Sequence, residues 1–290
     1  MKGILKYVFY PLTILLSVLV GILLFNVLDQ AYFIFIPVIV IIPLIGIFVW
    51  LEIKFPFQKK WNISKGDVGS DLIRTFFVLP IASKLAELLL PVLLYYPLIY
   101  LTKQFSGTVL NPEWGIVVNL IIALLLSELC YYWMHRLSHQ NKRLWRLHAV
   151  HHGAERVYWA NSGRFHFIDA FLGSLTYFLP LVLLGASEEI LVLVLTISTV
   201  TGMLEHVNIN FKAGILNYIF NTAELHRWHH SEKIHESSSN FGKVLVVWDL
   251  IFGSYLWPKD RMIERVGIEE EKVPVDFLTQ ITYPFKSKIK

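Results

Sequence analysis

The sequence predicts an all-α, multi-pass helical membrane protein carrying a histidine-rich helical cap. Three observations lead there. Of its 290 residues 55% are hydrophobic and only 17% charged, and the mean hydropathy is +0.53, values foreign to a water-soluble domain. Two apolar runs long enough to cross a bilayer open the chain. All 11 histidines lie after residue 134, which random placement produces about once in a thousand.

Tyr7 to Leu28 is almost wholly apolar and makes the first span, since about 20 helical residues cross the hydrocarbon core. Lys2 and Lys6 precede it, but the run is too long for a signal peptide and no small-residue cleavage site follows, so a retained anchor is expected. Asp29-Gln30 turns the chain into a second run, Ala31 to Leu51. Lys54, Lys59, Lys60 and Lys65 follow, which places both ends of this hairpin in the cytoplasm by the positive-inside rule. Leu72 to Leu101 is interrupted by Lys84 and Glu87 and by Pro80, Pro91 and Pro97, so an interfacial lead-in followed by a span is expected. Gly115 to Met134 returns the chain to the cytoplasmic side and carries one acid, Glu128. Asp169 to Leu204 breaks at Gly185-Ala186-Ser187 into two short halves, a thin or re-entrant hairpin. The rest, from Glu205, is polar enough for a cytoplasmic cap, with a turn-rich stretch at Ser237-Ser238-Ser239-Asn240. Three regions result: N-terminal transmembrane helices over 1–127, a histidine-bearing region over 128–257 that includes the hairpin at 169–204, and a cytoplasmic tail over 258–290.

The charge of +4 is spread among apolar segments, so it describes basic loops beside a bilayer and not a nucleic-acid surface; no nucleic acid is expected as a partner. The single cysteine, Cys130, excludes an internal disulfide and any thiolate-built zinc or iron-sulfur site. A metal here must sit on nitrogen or oxygen.

The histidines supply the nitrogen. They fall as His135-x-x-x-His139, His148-x-x-His151-His152 and His226-x-x-His229-His230, and helical residues three and four apart share a face. Eight imidazoles gathered together would leave many unpaired lone pairs unless something binds them. One ion rarely takes more than six ligands, so eight argue for a dimetal site. Nitrogen-rich coordination suits iron, copper, nickel or zinc. A metalloprotease helix is disfavoured, because the general-base position after the first histidine is Arg136. Glu128 stands two turns before His135 on nearly the same face, where a bond to a metal-side imidazole N–H is expected. Tyr131, Tyr132 and Trp133 fit an interfacial aromatic belt, and His235, between Ile234 and Glu236, a solvated loop.

Beyond the clusters, Glu128-Leu-Cys-Tyr-Tyr-Trp-Met-His135-Arg, Leu144-Trp145-Arg146-Leu147-His148, Phe220-Asn221-Thr222, Asn240-Phe241-Gly242 and Trp248-Asp249-Leu-Ile-Phe252-Gly253-Ser-Tyr255 are present. Together these segments, from about Glu128 to Trp257, resemble the membrane-bound fatty acid hydroxylase superfamily, which includes the sterol desaturases. The resemblance implies a non-haem diiron centre on the cytoplasmic side, which hydroxylates or desaturates a lipid C–H bond with dioxygen and two electrons. It spans enzymes of sterols, fatty acyl chains, sphingoid bases, ether lipids and carotenoids. Carried over residue by residue, it implies His135, His139, His148, His151, His152, His226, His229 and His230 as metal ligands. His206 matches a further family histidine between the second and third boxes. Where many members place another histidine, this chain has Asn210, a departure that leaves one iron short of a ligand or makes room for dioxygen. His166 matches a family Arg-x-His-Pro segment with Phe167 in place of the proline, as a structural or supporting residue.

Two iron ions are thus the expected cofactor, with zinc a possible occupant after purification. No Gly-x-Gly-x-x-Gly follows a strand, so electrons are expected from a separate donor such as a cytochrome b5-like protein or a ferredoxin with its reductase. Arg136, Lys142, Arg143, Arg146 and Arg227 would dock it. The expected membrane is the bacterial inner membrane or that of the endoplasmic reticulum; the tail at Lys286, Lys288 and Lys290 resembles a dilysine retrieval signal. Two alternatives share the imidazoles: a membrane zinc hydrolase, and a noncatalytic metal-binding membrane protein.

Overall fold

In hydrocarbon a chain segment can satisfy its backbone N–H and C=O groups only within itself, so the apolar runs wind as helices. The computed structural model describes residues 3–93, 100, 104, 109–269 and 272–286. Among these the chain is all-helical, with isolated bridges but no strand. Pro97, Lys103, Gly107, Lys288 and Lys290 lie outside the described residues.

Helices α1 (Leu5–Phe25) and α2 (Ile36–Lys54) form the first hairpin. The second begins later than the apolar run because Gln30–Phe35 winds as a 3-10 turn. The expected lead-in and span are instead one helical column: α3 (Val68–Ile73) passes through a π-helical turn, Arg74–Val78, into α4 (Leu79–Leu93). Pro91 lies inside α4 without ending it, and Lys84 and Glu87 pair with each other at 2.7 Å on its exposed side. Next come α5 (Gly115–Gln140) and α6 (Lys142–His152), joined at Asn141, whose side chain caps α6 by accepting from Arg143 N–H at 2.9 Å.

The hairpin consists of α7 (Phe167–Leu183) and α8 (Glu188–His206), with Gly185 in the left-handed region at φ +68 and Ser187 capping α8. Five helical stretches are long and apolar enough to cross a membrane: Leu5–Phe25, Gln30–Lys54, Val68–Leu93, Pro112–Gln140 and Glu188–His206. That is the make-up of an integral multi-pass membrane protein.

The last of these differs from the rest. In α8 72% of the apolar stretch is buried, against 17 to 33% in the other four, because α1, α2 and α5 all pack against it. It is the central helix of the bundle and not one arm of a thin hairpin in lipid. Between apolar helices in lipid, close packing and not the hydrophobic effect supplies the attraction. Gly21 of α1 permits that contact, since a Cβ there would lie 2.9 Å from Leu193 Cδ2. Phe9, Tyr10, Ile36 and Phe48 continue the same interface onto Val200 and Leu204.

The remaining residues cap one end of the bundle through α9 (Ala223–His229), α10 (Ile234–Ser237), α11 (Val247–Phe252) and α12 (Phe277–Thr282). Residues 272–286 fold back on α6, with Val273 and Tyr283 against Ala149 and Val150, and Gln280 accepts from Arg74 Nε at 2.8 Å. The fork of Arg156 grips Asp67 at 2.7 and 2.8 Å, tying the cap to the start of α3.

Candidate metal centre

Helical geometry sorts the histidines. At 3.6 residues per turn, i and i+4 diverge by about 40° one way and i and i+3 by about 60° the other. Pairs four apart therefore share a target, and the member at i+3 turns to a neighbouring one. His135, His139, His148, His152 and His229 form one group, and His151, His206, His226 and His230 a second; within each group one ligand atom per residue lies within 4.8 Å of all the others. His148 and His152 of α6 join the first group while His151 joins the second. After them the pattern inverts: His226 and His230 share the second group, and His229 reaches the first. The final residue of α8, His206, completes the second. The two groups share a wall, where the rings of His152 and His230 stack at 4.7 Å.

Hydrogen bonds from behind fix which nitrogen faces inward. His135 Nδ1 donates to the Phe241 carbonyl at 2.7 Å and His229 Nδ1 to the Ser239 carbonyl at 2.7 Å. His148 Nδ1 lies 2.9 Å from Asp169 Oδ2, and His206 Nδ1 2.9 Å from Asn161 Oδ1. The Asn161 amide is oriented in turn by donating to the Arg156 carbonyl at 2.7 Å. In the second group the nearest carboxylate to His226 Nδ1 is Glu205, at 3.6 Å.

An imidazole that donates through Nδ1 leaves Nε2 as a bare lone pair when neutral. The Nε2 atoms meet in pairs, His135 and His148 at 3.0 Å, His206 and His226 at 2.9 Å, His226 and His230 at 3.0 Å, His152 and His229 at 3.1 Å, while the Nδ1 atoms of His152, His226 and His230 have no hydrogen-bond partner among the described residues. Burial, then the neighbouring imidazoles, push the pKa of His151, His152, His226, His229 and His230 well below the ordinary histidine value, so these rings are neutral. Neutral rings converging as an all-imidazole donor set fit a transition metal.

The loop behind the first group is built by the Asn-Phe-Gly and Trp-Asp segments. Asp249 accepts from the backbone N–H of Phe241 at 2.8 Å and Gly242 at 2.9 Å, and from Ser254 Oγ at 2.6 Å. Asn240 holds the left-handed backbone at φ 52 and its side chain bridges Leu225 and Leu256. Gly242 allows the turn, for a Cβ there would fall 2.0 Å from the Leu245 carbonyl oxygen. Within the turn-rich stretch Ser239 and Asn240 are accordingly buried.

Several expectations are corrected. Glu128 does not bond an imidazole: its Oε2 accepts from the backbone N–H of Lys243 at 2.8 Å and Leu245 at 3.3 Å. The supporting carboxylate of the first group is Asp169, which sequence reasoning passed over; an acid at the mouth of an apolar run was its only signal. His166 caps α7 by accepting from Ile168 N–H at 3.2 Å, while its Nε2 meets the Ile281 carbonyl at 3.2 Å. The Asn210 side chain is exposed and its backbone N–H bonds Phe55, because α8 ends at His206 and residue 210 is no longer one turn on. Arg227 is buried, donating to Val207 and Ile209, so it is unavailable to a docking partner. Tyr132 is fully buried and bonds Ser254 at 2.8 Å, leaving Trp133 as the exposed belt residue. His235 is 74% exposed, as a solvated residue should be.

Comparison with known proteins finds relatives of one kind. The family model described as fatty acid hydroxylase matches residues 120–254. An ornithine lipid hydroxylase from Rhizobium tropici is 31% identical over 258 residues, 86% of this chain and 76% of that protein. An alkylglycerol monooxygenase from Danio rerio is 26% identical over 181 residues, 62% of this chain and 40% of that one. A Delta(7)-sterol 5(6)-desaturase from Leptosphaeria maculans is 26% identical over 165 residues, 57% of this chain and 44% of that one. No solved structure gives a significant match.

Proposed function

Because this chain belongs to the fatty acid hydroxylase family, we propose that it is a membrane-bound oxidoreductase that hydroxylates or desaturates a C–H bond of a lipid. The observation that carries this is the division of nine imidazoles into groups of five and four, with one ring nitrogen of each converging. Two iron ions, one per group, are the proposed cofactor. Contacts of 2.9 to 3.1 Å between Nε2 atoms bring the ring nitrogens close enough for one ion per group, which the histidines would hold.

When bound, the iron pair supplies the reduction of dioxygen that C–H oxidation needs. In hydroxylation the substrate C–H, one dioxygen, two electrons and two protons become C–OH and water; desaturation removes two hydrogens with the same oxidant and electrons and releases two waters. The two electrons come from a separate donor of the cytochrome b5 or ferredoxin type. What the chain itself does is geometric. Nine histidines hold the ions, while Asp169, Asn161 and the carbonyls of Ser239 and Phe241 fix ring orientation. The surrounding bundle excludes bulk water and admits a lipid from the bilayer.

The centre is proposed to face the cytoplasm, where such donors reside. Supporting this, four of the five long apolar stretches run up to and include the first box, which returns His135 to the side of the N-terminus. Residues 128–257 act as the catalytic region, with 1–127 as its membrane scaffold and 258–290 as its C-terminal part. Anaerobic purification in detergent should yield about two metal ions per chain, and reconstitution with iron, a reductant and membrane lipid should consume oxygen and yield lipid heavier by one oxygen or lighter by two hydrogens. A stoichiometry well under one, or oxygen-independent hydrolysis of lipid, would defeat the proposal.

A further inference from the structure

A carboxylate buried in an apolar helix is costly unless it bonds something. Glu52, in the last turn of α2, is 6% exposed. Its Oε1 accepts two backbone N–H groups, those of Trp159 and Asn208, each at 2.8 Å and 107 and 156 positions further along the chain. The two segments meet at His206. Trp159 opens the 3-10 turn Trp159–Gly163 that carries Asn161, whose Oδ1 lies 2.9 Å from His206 Nδ1. Asn208 follows His206 by two residues, where α8 has ended. One carboxylate oxygen thus ties the backbone behind His206 to the backbone that bears the partner of its ring.

The same corner is fixed by further bonds. Asn208 Nδ2 donates to the Gln58 carbonyl at 2.9 Å and to Asn62 Oδ1 at 2.7 Å, and its Oδ1 accepts from Gln58 N–H at 2.9 Å. Phe57 N–H donates to the Asn208 carbonyl at 2.9 Å and Asn210 N–H to the Phe55 carbonyl at 2.9 Å, so the chain leaving α2 pairs with the chain leaving α8. From α9, Arg227 holds the carbonyls of Val207 and Ile209 at 2.8 and 3.0 Å. Glu52 extends this pairing to the turn that bears Asn161.

Resting on the metal centre proposed above, we propose that Glu52 is a positioning residue for the second histidine group: through the two N–H groups that it clamps, it sets where His206 stands and which way its ring faces. Glu52 lies outside the proposed catalytic region of 128–257, so the N-terminal helices complete one of the two metal sites as well as crossing the bilayer. The first group draws the carbonyls of Phe241 and Ser239 and the carboxylate of Asp169 from within that region, so the effect of Glu52 falls on the second group.

The test is competition with a chelator on zinc-loaded, full-length protein in detergent, read by metal analysis. Wild type should hold about two ions. Glu52→Met should release one of them about tenfold more readily and hold the other as wild type does, while Glu52→Gln, which keeps an acceptor oxygen, should hold both. In a His206→Ala background, which keeps the first-group ion, adding Glu52→Met should change nothing; a general loosening of the bundle would instead release that ion too. Such a release, equal loosening of both ions in Glu52→Met, or wild-type retention in that variant overturns the proposal. Should Glu52→Met fail to fold, Glu52→Asp, one methylene shorter, is set against Glu52→Gln: weaker retention in the first alone upholds the proposal, and equal retention overturns it. Two ions in wild type with retention unchanged in Glu52→Met defeat this inference alone, whereas fewer than about one ion in wild type defeats the metal-centre reading and this inference with it.

Discussion

Asp169 Oδ2 lies 2.9 Å from His148 Nδ1, so a carboxylate at the start of α7 sets the tautomer of a ring on α6, and both groups are buried. With the proton held on Nδ1, Nε2 is left as the inward-facing donor. Such partners also raise ligand basicity.

Asp169→Ala should therefore weaken metal retention by about tenfold to a hundredfold, and Asp169→Asn, which keeps an acceptor oxygen, by less. Competition with a chelator, read by metal analysis, measures this. Unchanged retention in Asp169→Ala would remove the carboxylate from any account of the site.

The two groups should lose metal separately. His139→Ala should empty the first group and His206→Ala the second, each falling from about two ions per chain toward about one, while His235→Ala keeps both. Loss of both ions from either variant would mean a single coupled cluster. Membrane insertion should be unchanged throughout, since the spanning helices do not depend on these rings.

Acid sensitivity should trace to Asp67. Burial raises its pKa, but the hydrogen bonds and charge of Arg156 outweigh that and hold it below the ordinary value. A folded pKa below the unfolded one gives stability that is fully present above about pH 4 and is lost as the pH falls through the folded value. Wild type in detergent should show this loss as a falling Tm below about pH 4. Asp67→Asn should start lower, by about 3–5 kcal/mol for a broken buried pair, and lack that acid step. An identical acid step in Asp67→Asn would assign it elsewhere.

Topology is open to cysteine labelling on a Cys130→Ala background. Gln30, Gln140 and Ser238 are all exposed. With an impermeant reagent added from outside, a cysteine at 30 should react and those at 140 and 238 should not. Reaction at 140 without reaction at 238 would put the second and third boxes on opposite faces, which a converged centre forbids.

By itself the sequence determined the class of fold and the inventory of the site. Hydrocarbon forces long apolar runs into helices, so length and hydropathy suffice to find them. Helical spacing places imidazoles four apart on one target, so the histidine boxes announce a shared centre before any coordinates exist. The spacing read each box as aimed at one point, but the fold splits the second and third boxes, with His151 and His229 turned to the other group from their neighbours. Tertiary structure decided everything that depends on residues distant in the chain. The partners of His135 and His148, Phe241 and Asp169, lie 106 and 21 positions away, and no local periodicity encodes such a meeting. Glu128 shows the same limit from the other direction. Helical phase put it on the face of His135, but packing brought the backbone of Lys243 and Leu245 against it first. A side chain bonds the groups that the fold delivers to it, and the central placement of α8, not its sequence, brought His206 to Asn161.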